Sequence, residues 1–158
     1  MNAQLKLVPS YQREALADVL DEMKPLLDAH FHEITHYPDI PLKVDYDFFL
    51  AADAKGALRV YTARFHGELI GYCVFFVSPN PKYLTSLQAH QSVLYLSAQH
   101  RRGRVGLRLI DWCDTQLRAE GVQVVYHHMK ARHGFGRLFA HLGYELIDEI
   151  WGRRLDRG

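Results

Sequence analysis

Three arginines and two glycines form a short basic turn in the middle of the chain. The turn reads Arg-Arg-Gly-Arg-Val-Gly over positions 101–106. Small residues let backbone N–H groups converge on an anion, and a helix that begins there adds a partial positive charge. Arginines bind phosphate oxygens through charge-assisted hydrogen bonds. The turn therefore predicts a phosphate-binding site.

Two widespread phosphate-binding motifs do not fit this turn. A Walker loop is longer and ends in Gly-Lys-Ser/Thr, and the sequence has no such run. A dinucleotide fingerprint needs three glycines at fixed spacing, and the turn lacks them. The predicted site is therefore of another kind.

A second motif with chemical potential is His-Glu-Ile-Thr-His at positions 32–36, which matches the zinc-protease pattern H-E-x-x-H. On a helix its two histidines would share a face, with Glu33 beside them as the base. That face lies opposite the apolar stripe that contains Leu27 and Ile34, and no third ligand follows at a metzincin spacing. We therefore predict no metal site, and a zinc hydrolase is only a distant third hypothesis.

The elements around the basic turn follow from the apolar pattern. Residues 93–96 are apolar throughout, as in a strand covered on both faces. After the turn, apolar residues recur every three or four positions, which predicts a helix that stops at Gly121. A second β-prone run over residues 122–129 precedes a short helix over 135–142, which ends at Gly143. The turn thus joins a strand to a helix.

The first half of the chain predicts a sheet edge, helices and a hairpin. Residues 5–8 alternate as an edge strand, and Ser10 is placed as the N-cap of a helix that Pro25 kinks or splits. A short helix is predicted over residues 46–52. Residues 57–65 and 69–77 are predicted as the strands of a hairpin. The prolines in 35–45 and 78–85 predict two long loops.

Composition limits the class of protein. Apolar residues make up 48% of the 158 residues and the net charge is +1, so the chain is neither disordered nor a broadly basic nucleic-acid binder. Cys73 and Cys113 fall in apolar patterns and are predicted as reduced core thiols of a cytosolic protein. The first ten residues contain no apolar signal region, and the longest apolar run, residues 69–77, is too short to span a bilayer. We therefore expect a soluble cytoplasmic protein.

The strand, turn and helix together resemble motif A of the GNAT superfamily of acyl-CoA N-acyltransferases, written Arg/Gln-x-x-Gly-x-Gly/Ala. Arg101 takes the first position and Gly106 the last, whereas Arg104 stands where the motif has its middle glycine. Residues 138–144 resemble the family's ending of helix 4, aromatic-x-x-Leu-Gly-aromatic. Order and spacing agree over residues 58–155, and the chain resembles the small members that phages and prophages encode.

The resemblance implies an α/β fold formed by one domain over residues 1–158. It implies a mixed, mostly antiparallel sheet of six or seven strands, helices on both faces, and a V-shaped split between strands 4 and 5. In that fold the pantetheine of acetyl-CoA inserts into the split and pairs with the backbone of strand 4. The cofactor-binding residues so implied are Leu94, Tyr95, Leu96, Arg101, Arg102, Gly103, Arg104, Val105, Gly106 and Leu107.

The resemblance also implies which residue takes a proton from the attacking amine. His90 falls where many members place a glutamate, and an imidazole, with a pKa of about 6.5, suits this role at neutral pH. His127 is a further catalytic candidate. Because side chains alternate along a strand, His127 and His128 point to opposite faces, and at most one faces the cleft.

The proton donor is less well defined. The family's usual tyrosine falls at Phe139, which has no proton to give. Tyr126 is the catalytic candidate in its place, and Tyr95 or water are alternatives.

The expected reaction is transfer of an acetyl group from acetyl-CoA to a primary amine of a small molecule or a protein. The alternative is a non-catalytic acyl-CoA-binding module, which Arg104 and Phe139 favour. No nucleic-acid or membrane partner and no metal are expected, and a homodimer is left open. The residues expected to bind the acceptor are Glu33, His36, Tyr37, Asp39 and His128.

Overall fold

One mixed sheet, with its strands in chain order, forms the centre of the fold. The computed structural model describes residues 8–157. Its sheet has five strands in the order β1-β2-β3-β4-β5, where β4 and β5 are parallel and the other neighbours are antiparallel. The main elements are β1 (Ser10–Glu14), α1 (Leu16–Ile34), α2 (Tyr46–Ala54), β2 (Leu58–Phe65), β3 (Glu68–Asn80), β4 (Tyr83–Leu96), α3 (Val105–Ala119), β5 (Val124–Tyr126) and α4 (Gly136–His141).

Helices cover both faces of the sheet, as predicted, and each face has its own apolar core. On one face, Leu20 and Met23 of α1 pack against Tyr72 and Tyr95, and α2 packs beside them. On the other face, the stripe of α3 packs against β2, β3 and β4; it consists of Leu109, Cys113 and Leu117. Alternating side chains of the strands supply both cores. Cys73 and Cys113 are buried free thiols, as predicted.

The first strand lies later in the chain than predicted. Most of residues 5–8 lies outside the described residues, and Ser10 begins β1 instead of capping a helix. The strand pairs with β2, with Ser10 opposite Arg64 and Glu14 opposite Val60. The helix α1 begins at Leu16, whose N–H donates to the carboxylate of Asp53 on α2 at 2.7 Å. Pro25 lies within α1, so of the two predicted alternatives, a kinked or a split helix, the split is wrong.

The hairpin of β3 and β4 is longer than predicted. The turn at His66 and Gly67, both with positive φ, confirms the predicted β2–β3 hairpin. In contrast, the predicted loop over residues 78–85 is mostly strand, because β3 runs to Asn80 and β4 starts at Tyr83. The register between β3 and β4 shifts so that Ser92 has no partner, which places a β-bulge in β4.

The strands β4 and β5 part from each other, as the resemblance implied. Their parallel pairing begins with Gln88 opposite Val124 and ends with His90 opposite Tyr126. Residues 93–96 stay paired with β3 but have no partner in β5. The predicted strand over 122–129 is therefore reduced to Val124–Tyr126. It pairs with residues 88–90 of β4 and not with residues 93–96. The result is an open edge of β4.

The segment after α4 forms no strand within the described residues, which accounts for the sheet of five strands instead of six or seven. It instead returns to the loop between α1 and α2. Arg154 and Arg157 both donate to the carboxylate of Asp39, and the guanidinium of Arg154 lies over the ring of Tyr37. Among the described helices, none is long and apolar enough to cross a bilayer.

Candidate active site

Two groups of side chains flank the point where β4 and β5 part. His90 stacks on Tyr126, with ring centroids 4.6 Å apart and planes at 13°. One residue further along each strand, the Nδ1 of His127 donates to the Oε1 of Gln91 at 2.9 Å. Because side chains alternate, the first pair lies on the face of α1 and the second on the face of α3 and α4.

His90 is exposed on the α1 face and has the protonation state that a base needs. Partial burial, and then the neighbouring charge of His128, lower the pKa of His90. Its imidazole is therefore mainly neutral at pH 7 and can accept a proton. The charge of His128 lowers the pKa of both His90 and His127, so His128 lies near both rings, just beyond the end of β5.

His127 is half-buried among aromatic rings on the opposite face. Its ring lies 4.7 Å from that of Phe139 and 5.2 Å from that of Tyr144. Burial, and then the charge of His128, lower the pKa of His127 to about 4. Its Nε2 is buried and has no hydrogen-bond partner within residues 8–157. His127 is therefore a neutral imidazole at pH 7, and its Nε2 lies on the face of α3 and α4, opposite to His90.

This burial predicts a loss of stability in mild acid. The unfolded chain binds a proton at His127 near pH 6.5, whereas the folded chain does so only near pH 4, so folding becomes less favourable as the pH falls between these values. The lost free energy of unfolding is at most roughly 3 kcal/mol, since one pKa unit corresponds to about 1.4 kcal/mol. Urea denaturation at several pH values should show a smaller acid loss in His127→Gln. The exposed His141→Gln serves as control, and equal slopes in all three proteins would contradict the assignment.

The basic turn forms the start of α3. Arg104 is the N-cap residue, and no described side chain caps the helix. The first N–H groups of a helix have no partner inside it, so those of Val105, Gly106 and Leu107 are available to an anion. Gly103 has φ +93°, the left-handed region that favours glycine. A Cβ built on Gly106 would meet only the side chain of Leu96, at 3.6 Å.

Arg101 is engaged in contacts inside the protein. Its guanidinium forms a two-pronged ion pair with Glu33 of α1, with Nη2 to Oε2 at 2.8 Å. Its Nε donates to the carbonyl oxygen of Leu96 at 2.7 Å, and its guanidinium lies over the ring of Tyr95. Arg101 therefore ties the end of α1 to the end of β4. Arg102 and Arg104, both exposed, form no ion pair among the described residues.

The acidic residues expected to bind the acceptor are already paired with arginines. The hydrogen bond from Arg101 lowers the pKa of Glu33, and that from Arg154 lowers the pKa of Asp39. His36 and Tyr37 lie in the loop after α1, with their rings 4.6 Å apart, and both line a shallow pocket there. The structure thus groups four of the predicted acceptor residues at the end of α1 and in the loop after it, with neither carboxylate free, whereas His128 lies after β5.

The tyrosines differ in their freedom to give a proton. Tyr144 donates to the carboxylate of Asp114 at 2.6 Å, and burial raises the pKa of Tyr144. Tyr95 is buried beneath Arg101. Tyr126 is half-buried beside His90 at the parting of the strands. Phe139, at the position of the family's tyrosine, is buried against His127.

The His-Glu-Ile-Thr-His motif at positions 32–36 does not have the geometry of a zinc-protease site. The helix α1 ends at Ile34, so His36 lies beyond it and the two histidines do not share a helical face. His32 pairs with Asp28 at 3.6 Å. No group of three or more potential metal ligands occurs among the residues that the structure describes.

Two residues near the site were missed by sequence reasoning. Gln91 joins His127 across the parting strands, and Lys130 lines the pocket beside His36. The sequence position of Gln91, next to His90, was the available signal. No sequence signal pointed to Lys130, because the position of its side chain depends on the path of the chain after β5.

The fold and this site define an α/β protein with parted parallel strands beside an uncapped helix. Residues 15–144 match the model of the acetyltransferase (GNAT) family. The chain therefore belongs to the acetyltransferase (GNAT) family. This confirms the resemblance at the level of the family and the fold. No curated protein matches the chain significantly.

Several solved structures have the same fold. An aminoglycoside acetyltransferase from an uncultured soil metagenomic sample, in complex with trehalose, is 14% identical with a TM-score of 0.72, covering 96% of this chain and 99% of that one. A ribosomal-protein-alanine N-acetyltransferase from Brucella melitensis biovar Abortus 2308 is 18% identical with a TM-score of 0.69, covering 94% and 99%. A protein from Clostridium acetobutylicum described as a predicted acetyltransferase, with acetyl-CoA, is 12% identical with a TM-score of 0.69, covering 96% and 99%.

Proposed function

We propose that this protein transfers the acetyl group of acetyl-CoA to a primary amine of a small molecule or a protein. The observation that carries the proposal is the open edge of β4 next to the uncapped start of α3. An acyl-CoA has an amide-rich arm and a pyrophosphate, which match these two features. Family membership supports the same cofactor.

The start of α3 is the proposed site of the pyrophosphate. The N–H groups of Val105, Gly106 and Leu107, together with Gly103, form its backbone part. Arg102 and Arg104 supply the charges, because Arg101 is held by Glu33. Arg101 contributes indirectly by fixing the turn against Leu96.

The open edge of β4 is the proposed site of the pantetheine. Beyond His90 this edge has no strand beside it, so backbone groups there can pair with the amides of the arm. Backbone groups of adjacent residues point to opposite edges of a strand, and the N–H of Ser97 donates to Ile70 of β3, so Tyr95 also faces β3 whereas Leu94 and Leu96 face the open edge. Because the carbonyl of Leu96 already accepts a hydrogen bond from Arg101, we assign the pairing to the N–H and carbonyl of Leu94 and the N–H of Leu96.

The chemistry is assigned to the pair at the parting of the strands. His90 takes a proton from the acceptor's ammonium group, and the resulting neutral amine attacks the thioester carbonyl carbon. The carbon–nitrogen bond forms, the carbon–sulfur bond breaks, and the departing thiolate takes a proton from Tyr126. The nitrogen, positively charged after the attack, loses its extra proton through water to the Tyr126 phenolate, and His90 releases its proton to solvent. His127, whose Nε2 is buried behind the strands, holds the strand ends through Gln91. It is thus a positioning residue.

The acceptor is assigned to the side of α1. The charge of His128 reaches His90, and His36 and Tyr37 line the pocket in the loop after α1. Glu33 and Asp39 act by fixing that loop and the end of α1 through their arginines. A cytoplasmic location, a homodimer and kinship with small phage-encoded members stay predictions.

An amine panel tests the proposed function. Purified protein with acetyl-CoA should release free thiol in proportion to acetylated amine for at least one class of acceptor, detected by thiol reagent and mass spectrometry. Isothermal titration with acetyl-CoA gives the matching binding constant. Tight binding without thiol release from any amine would support the non-catalytic acyl-CoA-binding alternative.

A further inference from the structure

A small pocket lies on the α1 side of the site, between the end of α1 and the chain after β5. Its volume is about 250 Å³. Most of its wall is apolar or aromatic, and the polar part carries two lysines. The lining includes Phe31, Tyr37, Ile40, Leu42, Lys43 and Lys130.

The charge of this pocket is positive. No carboxylate lines it, and neither Lys43 nor Lys130 is paired with a carboxylate within residues 8–157. The acidic residues of the neighbouring segments are engaged elsewhere: Glu33 pairs with Arg101, Asp39 pairs with Arg154 and Arg157, and Asp45 caps α2 by accepting from the N–H of Phe48. A bound cation would therefore meet two ammonium groups and no free carboxylate. A bound anion would be attracted by both ammonium groups and repelled by no carboxylate of the lining.

The walls of the pocket connect to both strands of the site. Lys130 follows Tyr126 by four residues, so it lies just beyond the end of β5. The opposite wall belongs to the end of α1, which Glu33 ties through Arg101 to the carbonyl of Leu96 at the end of β4. A carboxylate that reaches Lys130 therefore lies beside the segment that continues directly from Tyr126.

We propose that the acceptor is an amine that also carries a carboxylate and an apolar group, such as a hydrophobic amino acid. This inference rests on the proposed function. The apolar group packs against Phe31, Ile40 and Leu42, and the carboxylate binds Lys43 and Lys130. The amine is then the only reacting group, and the carboxylate orients it. Polycationic acceptors are disfavoured by the same two lysines.

A matched pair of acceptors tests the charge. L-phenylalanine and L-phenylalaninamide share the amine and the ring, and they differ in the carboxylate. We expect kcat/KM to be at least tenfold higher for L-phenylalanine, although the amide has the less basic and so more readily deprotonated amine. Kanamycin, as a polycation, should be the poorest acceptor of the three. Equal rates for the pair, or a preference for kanamycin, would overturn the inference and leave the proposed function standing.

Lysine variants test the site. Lys130→Gln and Lys43→Gln should each lower kcat/KM for L-phenylalanine about tenfold, mainly through KM, because each removes one charge-assisted contact. They should leave L-phenylalaninamide within about twofold. Lys82→Gln, on the exposed turn between β3 and β4, is the matched control. If the pocket variants weaken acetyl-CoA binding instead, the lysines serve the cofactor and the inference fails.

A binding measurement keeps the test independent of turnover. In the presence of CoA, N-acetyl-L-phenylalanine should bind at least tenfold more tightly than N-acetyl-L-phenylalaninamide by isothermal titration. Lys130→Gln should remove that difference. A protein that binds acetyl-CoA and acetylates no amine but keeps this preference would refute the proposed function alone. A protein that acetylates amines without this preference would refute the inference alone.

Discussion

Gly106→Glu is expected to abolish acetyl-CoA binding, a loss of more than a hundredfold, while the protein stays folded. The side chain would enter the space in front of the helix start, where the N–H groups are free. Each lost charge-assisted contact costs on the order of 1.5–3 kcal/mol, or roughly ten- to a hundredfold in affinity, and the like charge adds repulsion. Isothermal titration with acetyl-CoA measures the loss.

The structure gives a reason why folding should survive this change. The Cβ at position 106 meets only a side-chain atom of Leu96 at an ordinary distance of 3.6 Å. Glycine is also a poor helix former, and the negative charge of an acidic residue in the first turn interacts favourably with the helix dipole. Circular dichroism and thermal unfolding should therefore show no loss of stability.

Two variants separate bulk from charge. Gly106→Gln adds the bulk alone and should bind more tightly than Gly106→Glu but more weakly than the parent. Arg104→Gly restores the family's usual pattern and should stay within about tenfold of the parent, because a lost cation is offset by easier backbone approach. Unchanged binding by Gly106→Glu would mean that the pyrophosphate lies elsewhere.

Local patterns were enough to predict the parts of the fold that depend on neighbours in sequence. The basic turn does begin a helix, the turn at His66 and Gly67 does join two strands, and Gly121 and Gly143 have the positive φ of helix stops. Each of these depends on backbone conformations that only a few residue types favour.

The length of the β3–β4 hairpin could not be read from the sequence, because prolines usually break central strands. β2 pairs with β3 only as far as Phe76, so beyond Val77 one side of β3 is free. Pro79, which has no N–H to donate, lies in this edge-like part opposite Leu87. The local prediction of a loop failed because the neighbouring strand ends there.

The start of α1 depends on a contact that is distant in sequence. Ser10 looked like a helix cap, yet the residue that caps α1 is Asp53, which accepts from the N–H of Leu16. Residues 10–14 were thereby free to pair with β2. No local pattern encodes a cap that is supplied 37 residues later.

The sequence predicted which residues lie at the site better than it predicted which of them form ion pairs. The strand and turn placed His90 and the arginines, since their positions follow from their own elements. The pairing of Arg101 with Glu33 spans 68 residues, and that of Asp39 with Arg154 spans 115. These ion pairs depend on how α1 and the last segment pack, so the sequence alone did not show that neither carboxylate is free.

His90→Gln is expected to lower kcat/KM by roughly a hundred- to a thousandfold, the range of a lost general base. Acetyl-CoA binding should stay within about twofold, because His90 lies outside the turn. In the parent, kcat/KM should fall in acid only below the ordinary imidazole pKa of about 6.5, since burial and His128 lower the pKa of His90. This acid limb should vanish in His90→Gln.

Two further variants make the assignment specific. His128→Gln removes the neighbouring charge, so the pKa of His90 should rise and the acid limb should move to higher pH. His32→Gln, on the exposed end of α1, should behave as the parent, whereas the zinc-hydrolase hypothesis predicts a large loss there. If His90→Gln keeps the parent's kcat/KM and its acid limb, another group takes the proton from the ammonium, and the face of α1 loses its assigned base.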